Sequence, residues 1–122
     1  MKPKLYILAG ANGSGKSTIS KVLLPAEGIV YINPDDIAGE LNPENPVAAQ
    51  IQAGKETLKR IDALLNRGDS FAIESTLSGL GYLSVIKHAK ALGYDVFICY
   101  TFVDSPEVCI ARIEGQIGRA HV

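Results

Sequence analysis

The chain alternates between short apolar runs and longer stretches in which apolar residues recur every three or four positions. Read as strands and helices, this order favours an α/β fold, a parallel sheet with helices on both faces. Lys4 to Ala9 ("KLYILA") is predicted as the first strand, and Lys16 to Leu24 as a helix with Ile19, Val22 and Leu23 inward, stopped at Pro25. Ile29 to Ile32 is a second strand, after which Asn33 and Pro34 supply the cap and first position of a short helix through Leu41. Asn45-Pro46 opens a long helix with an inward stripe of Val47, Ile51, Gly54, Leu58, Ile61 and Leu65, and Gly68 ends it as a left-handed cap. Ser70 to Glu74 is the third strand. A glycine-broken loop follows, then a helix with Leu83, Ile86, Ala89 and Leu92 inward, closed by Gly93, and a fourth strand from Tyr94 to Val103. Ser105-Pro106-Glu107 reads as a cap, a first position and a dipole-matched acid, predicting a last helix with Val108, Ile110 and Ile113 inward that breaks off near Gly115.

Composition narrows the function more than the fold. With 122 residues, 47% hydrophobic and 20% charged, the chain fits one soluble domain. A net charge of -1 gives no basic stripe, so neither nucleic acid nor a membrane surface is expected as a partner. No apolar run approaches the roughly 20 residues of a membrane span, and the N-terminus lacks a cleavage site, which predicts a cytoplasmic protein. Cys99 and Cys109 have no metal-ligand spacing and are read as buried thiols.

The chemistry starts at the end of the first strand. Gly10-Ala11-Asn12-Gly13-Ser14-Gly15-Lys16-Ser17-Thr18 matches G-x-x-x-x-G-K-[ST], with the apolar strand before it and the helix after it that the motif requires. Gly13 and Gly15 permit a backbone that aims N–H groups at phosphate oxygens, beside the positive end of the helix. Lys16 adds a charge that reaches the β- and γ-phosphates, and the Ser17 hydroxyl is suited to ligate Mg²⁺. Thr18 is placed to touch a phosphate or to serve as an ordinary first-turn residue.

Three enzyme classes share such a loop. A GTPase would add N-K-x-D to D-x-x-G; Asp36-Ile37-Ala38-Gly39 fits the second, but nothing fits the first. A transporter-type ATPase would carry L-S-G-G-Q before an acidic strand end, and Leu77 to Gly81 ("LSGLG") is only a near miss. Small kinases remain. In an open parallel sheet ligands bind beyond the carboxyl ends of the strands, where Gly10 to Lys16, Asn33 to Asp36, Glu74 to Thr76, and Asp104 are expected to gather. A kinase needs a carboxylate to orient and deprotonate the acceptor hydroxyl, and Asp35 and Glu74 are the candidates. Asp35 and Asp36 are equally first-turn acids that a helix dipole favours. Glu74 at a buried sheet edge requires partners. Ser75 and Thr76 offer hydroxyls to a substrate or to their own turn.

Four ordered blocks, "ILAGANGSGKST", "INPDDIA", "FAIESTLSG" and "GYDVFICYTFVDSPEVCIARI", resemble the zeta toxin family of P-loop kinases, over the chain to about Ile113. The resemblance implies an adenylate-kinase-like core and transfer of the ATP γ-phosphate, with Mg²⁺, to a small-molecule acceptor. The family's characterised acceptor is the sugar 3′-hydroxyl of UDP-N-acetylglucosamine, and an antitoxin protein restrains the toxin. It also makes Lys16 the phosphate lysine, Ser17 the metal ligand, Asp35 the general base and Glu74 the acid that helps position the acceptor; Asn33 and Thr76 are further candidates for binding the substrate. "EST" stands where the family often has "ETT", and Pro34 replaces a commoner small residue. The family's arginine-bearing lid has no counterpart here, unless Arg112 begins it.

The last residues bear on this reading. "IGRAHV" (Ile117 to Val122) matches the translation of a common sequencing adapter, so the expectation is a truncated kinase core over residues 1–115, lacking its last strand and lid, with a non-native tail over 116–122. A nucleotide-binding module or inactive fragment, and a kinase for a nucleoside, antibiotic or nucleic-acid end, are the alternatives.

Overall fold

The computed structural model describes residues 2–9, 24–74, 82–102, 105–114 and 119–121. Six strands, β1 (Lys4–Ala9), β2 (Val30–Ile32), β3 (Phe71–Glu74), β4 (Asp95–Phe102), β5 (Ser105–Glu114) and β6 (Arg119–His121), form one sheet in the order β2-β3-β1-β4-β5-β6. The first four are mutually parallel. Leu5 lies level with Phe71 and Val96, and Ile73 with Ile7 and Ile32. Side chains alternate across a strand, so Leu5 and Ile7 join the larger core while Tyr6 and Leu8 join a smaller one on the opposite face.

Three helices, α1 (Pro34–Leu41), α2 (Gln50–Arg67) and α3 (Tyr82–Ala91), contribute Ile37, Ile61, Leu64 and Ile86 to the larger core, against Phe71, Ile73 and Val96. On the other face Leu24, from a single helical turn Leu24–Ala26, and Ile29 pack with Leu8, Ala72 and Cys99. The rest of the expected first helix, including Ile19, Val22 and Leu23, lies outside the described residues.

Local chemistry sets the helix ends. Asn33 caps α1 by accepting the Asp35 N–H at 2.9 Å, with Pro34 at the first position. Asn45 likewise caps a 3-10 turn, Pro46–Ala49, which runs into α2. Gly68, at φ 73°, gives α2 a left-handed end, and Asp69 N–H returns to the Leu64 carbonyl. The Tyr94 hydroxyl secures that end by donating to the carbonyls of Leu64 and Asp69, its ring edge-on to Phe71. Arg60 on α2 reaches Glu40 on α1 at 3.1 Å.

Two inward stripes differ from expectation. The 3-10 turn changes the rotational phase ahead of α2, so Ala49, Ala53 and Thr57 face inward before Ile61, Leu64 and Leu65. Val47 and Ile51 are instead 78% exposed, and Leu58 is 48% exposed. Thr57 satisfies its buried hydroxyl on the Ala53 carbonyl at 2.7 Å. On α3, Val85 joins Ile86 and Ala89 inside, while Leu83 and Leu92 are exposed.

The expected final helix is a strand. β5 pairs antiparallel with β4, Ile113 opposite Val96 and Ala111 opposite Ile98, and β6 pairs with β5. Burial there follows a period of two: Ala111 and Ile113 are buried, whereas Ile110 and Arg112 face out. Helical spacing would have turned Ile110 and Ile113 to one side; pairing separates them and lets Ile113 complete the core. Arg112 bridges Asp95 at 2.7 Å, and Lys90 Nζ donates to the Ile113 carbonyl at 2.8 Å. The sheet therefore continues two strands beyond β4, and Cys109 lies in β5 rather than in a helix.

Candidate functional site

Because β1 to β4 run parallel, their carboxyl ends share one edge. β1 ends at Ala9, immediately before the Gly10-to-Thr18 motif; the Thr101 hydroxyl on β4 reaches the Ala9 carbonyl at 3.4 Å. The motif itself (Gly10, Ala11, Asn12, Gly13, Ser14, Gly15, Lys16, Ser17 and Thr18) lies outside the described residues, as do Ser75, Thr76 and Asp104. Next along the edge, Glu74 closes β3 level with Leu8 of β1, and the chain leaves β2 one residue beyond the Ile32–Ile73 pair into Asn33. Asn33, Asp35 and Glu74 are thus brought to the edge on which β1 ends.

The start of α1 separates two neighbouring acids. Asn33 turns the chain out of β2 and into the helix, leaving both Asp35 and Asp36 exposed in its first turn. Asp36 lines a hollow of about 380 Å³ with Glu40, Arg60, Arg67 and the outer strand β2. Pro34 borders a different hollow, of about 270 Å³, which α2 and Tyr82 complete. Asp35 lies between the two in sequence, one residue from each lining.

Tyr82, at the start of α3, ties this second hollow to the strand edge: its hydroxyl donates to the Glu74 main-chain carbonyl at 3.2 Å. Burial first, and then the Glu74 charge, raise its pKa, so the phenol stays a neutral donor. Glu74 itself is half-buried. Tyr82 is not among the expected site residues, and Leu58, expected to face inward, is exposed and lines this second hollow. Gly54, an isolated glycine inside a helical pattern, was the available signal.

Other chemistry is limited. Burial pushes the Cys99 thiol up to about 11, away from the range of a reactive thiolate. Among the described residues no group of three His, Cys, Asp or Glu is arranged to hold a metal. No helix among them is long and apolar enough to cross a membrane.

Comparison with known proteins matches the chain to a family. The model described as Zeta toxin matches residues 1–115. An uncharacterized protein of Haemophilus influenzae is 36% identical over 117 residues, covering 96% of this chain and 83% of that protein. Among solved structures, one from the PezAT chromosomal toxin-antitoxin system of Streptococcus pneumoniae superposes with a TM-score of 0.63 at 24% identity, over 81% of this chain and 47% of that one. A chain of the Pnkp1/Rnl/Hen1 RNA repair complex gives 0.61 at 29% identity, over 86% of this chain and 34% of its own length. The chain thus spans less than half of these two solved chains.

Proposed function

Since the chain belongs to the zeta toxin family of P-loop kinases, we propose that it transfers the γ-phosphoryl group of ATP to a sugar hydroxyl, first among acceptors the 3′-hydroxyl of UDP-N-acetylglucosamine. The observation that carries this reading is the edge itself: Asp35 at the start of α1 and Glu74 at the end of β3 share it with the end of β1, from which the phosphate motif follows. ATP with Mg²⁺ supplies the phosphoryl group and neutralises the charge that moves with it. Gly10 to Thr18 are the residues to hold the phosphates, with Lys16 on the β- and γ-oxygens and Ser17 on the metal. Asp35 accepts the proton of the acceptor hydroxyl as the hydroxyl oxygen bonds to the γ-phosphorus and the bond from that phosphorus to the bridging oxygen breaks, releasing ADP. Glu74, with Asn33 and Thr76, orients the acceptor. An antitoxin protein is the proposed regulatory partner, on family membership.

A radiolabelled-ATP transfer assay on the whole chain tests this. Asp35→Asn should abolish transfer to UDP-N-acetylglucosamine while ATP binding persists, and Asp36→Asn, on the outer hollow, should retain most of it. Equal loss in both variants, or retained transfer in Asp35→Asn, would remove the base assignment. A second reading, an acceptor at a nucleic-acid end, draws on the likeness to the RNA repair complex. Labelling of a 5′-hydroxyl oligoribonucleotide in place of the nucleotide sugar would select it.

A further inference from the structure

β2 is the outer strand of the sheet: β3 pairs with one side of it, and among the described residues no strand pairs with the other. Unpaired main-chain groups on such an edge are a template for another strand, which proteins commonly block with charge, proline or a short run. This edge is short, at three residues, but Val30, Tyr31 and Ile32 include neither charge nor proline. Val30 shares a face with the buried Ile32 and is 49% exposed. On that face, between the strand and α1 and α2, lies the hollow of about 380 Å³.

The charges around this hollow are set out along the strand. Asp36 follows the carboxyl end of β2, in the first turn of α1. Arg67 stands in the last turn of α2, which feeds the amino end of β3, where Phe71 is level with Val30. An acid therefore marks one end of the edge and an arginine the other. Arg60 is engaged within the chain, by Glu40 at 3.1 Å and Glu56 at 3.2 Å. Arg67 gives its Nε to Asp69 at 2.9 Å and keeps both Nη groups for another partner, and Asp36 has no ion pair among the described residues.

We propose that a second copy of this chain docks on the edge, β2 antiparallel to β2 about a two-fold axis through Tyr31, so that one sheet runs across both molecules. Antiparallel pairing sets the carboxyl end of one strand beside the amino end of the other, which brings Asp36 of each copy toward Arg67 of the other. An axis normal to the sheet keeps the helices of both copies on one face; the two hollows meet, and the exposed Val30 of each lies across from Ile32 of the other. A parallel pairing would set like ends together and leave both charges unanswered. Such a self-complementary contact closes at two copies. Three residues of pairing supply few main-chain bonds, so the association is weak and depends on its charges. The inference is independent of the kinase reading, since neither Asp36 nor Arg67 is assigned to phosphoryl transfer.

Sedimentation velocity on the whole chain, in a concentration series at about 0.05 M and about 0.5 M salt, tests it. The expected result is a monomer–dimer equilibrium that weakens about tenfold or more at the higher salt. Arg67→Asp and Asp36→Arg should each weaken it at least as much, because one substitution sets like charges together at both symmetric contacts. Mixing the two variants should restore association, since one copy then brings two arginines and the other two aspartates to the paired positions. Val30→Lys, a charge on the edge itself, should leave the protein monomeric. All three positions are exposed, and melting curves should find each variant folded. A parent that stays monomeric at every concentration overturns the proposal, as does a dimer indifferent to both charge reversals, or a mixture that associates no better than either variant alone. If instead the parent is monomeric and an added extended peptide protects the amides of Val30 to Ile32 from hydrogen exchange, the edge serves a foreign strand and the second copy is ruled out.

Discussion

The Tyr82 hydroxyl and the Glu74 main-chain carbonyl are 3.2 Å apart, so the first residue of α3 is fastened to the last residue of β3. Tyr82→Phe leaves that carbonyl one partner short, and the expected cost is about 1 kcal/mol of stability. Chemical denaturation should read it as a lower midpoint with an unchanged slope. An unchanged midpoint would mean that the hydrogen bond contributes nothing in solution.

Three glycines should respond to alanine in opposite directions. Gly39 and Gly54 are helical, and among the described residues nothing lies within 4 Å of the missing Cβ, so Gly39→Ala and Gly54→Ala should each stabilise by about 0.5–1 kcal/mol. Gly68 stands at φ 73°, where a Cβ is strained, and Gly68→Ala should destabilise by roughly 1 kcal/mol or more. Melting temperatures of the three variants check the signs.

The strand assignment of residues 105–114 separates two isoleucines that a helix would have placed together. Ile113 is fully buried against Val96, and Ile113→Ala should cost about 2–5 kcal/mol. Ile110 is 59% exposed, and Ile110→Thr should stay within about 0.5 kcal/mol of the parent. Comparable losses at both positions in urea unfolding would restore the helix.

Alkaline stability should depend on Cys99. Burial raises its thiol from an ordinary 9.0 to about 11, so the unfolded chain loses that proton first. The stabilisation of the neutral thiol is therefore complete below pH 9 and falls away as pH rises toward about 11. Tyr6, Tyr82 and Tyr94, all raised chiefly by burial, extend the fall above pH 10. Cys99→Ala should flatten the dependence of the urea midpoint between about pH 9 and about 11; parallel curves would argue against a buried thiol.

Signals confined to a few neighbouring residues were legible in the sequence. Asn33 before Pro34, Asn45 before Pro46, and Gly68 after Arg67 act through their own backbone, so cap and termination followed from residue type. The parallel strand ends, and with them the sharing of one edge by Asn33, Asp35 and Glu74, followed from the alternation of runs and periods. Phase was not legible. Four residues of 3-10 turn ahead of α2 rotated its buried stripe onto Ala53 and Thr57, and small or polar residues give an apolar-periodicity argument nothing to count. Ser105-Pro106-Glu107 satisfied every local rule for a helix start, and pairing with β4 outweighed them. The Tyr82 hollow was hidden for a related reason: it is assembled from α1, α2 and α3, and only the unexplained glycine marked it in one dimension.

The position of β1 at the centre of the sheet has a consequence for how the protein comes into being. Its neighbours on either side are β3 and β4, so Leu5 must wait for Phe71 and then for Val96 before its backbone is paired. On the ribosome β1 emerges before both of these partners and is an unpaired apolar ribbon until they follow. Closing such distant pairs is slow compared with forming α2, whose contacts are local. During that interval β1 is the segment most in need of a chaperone's cover.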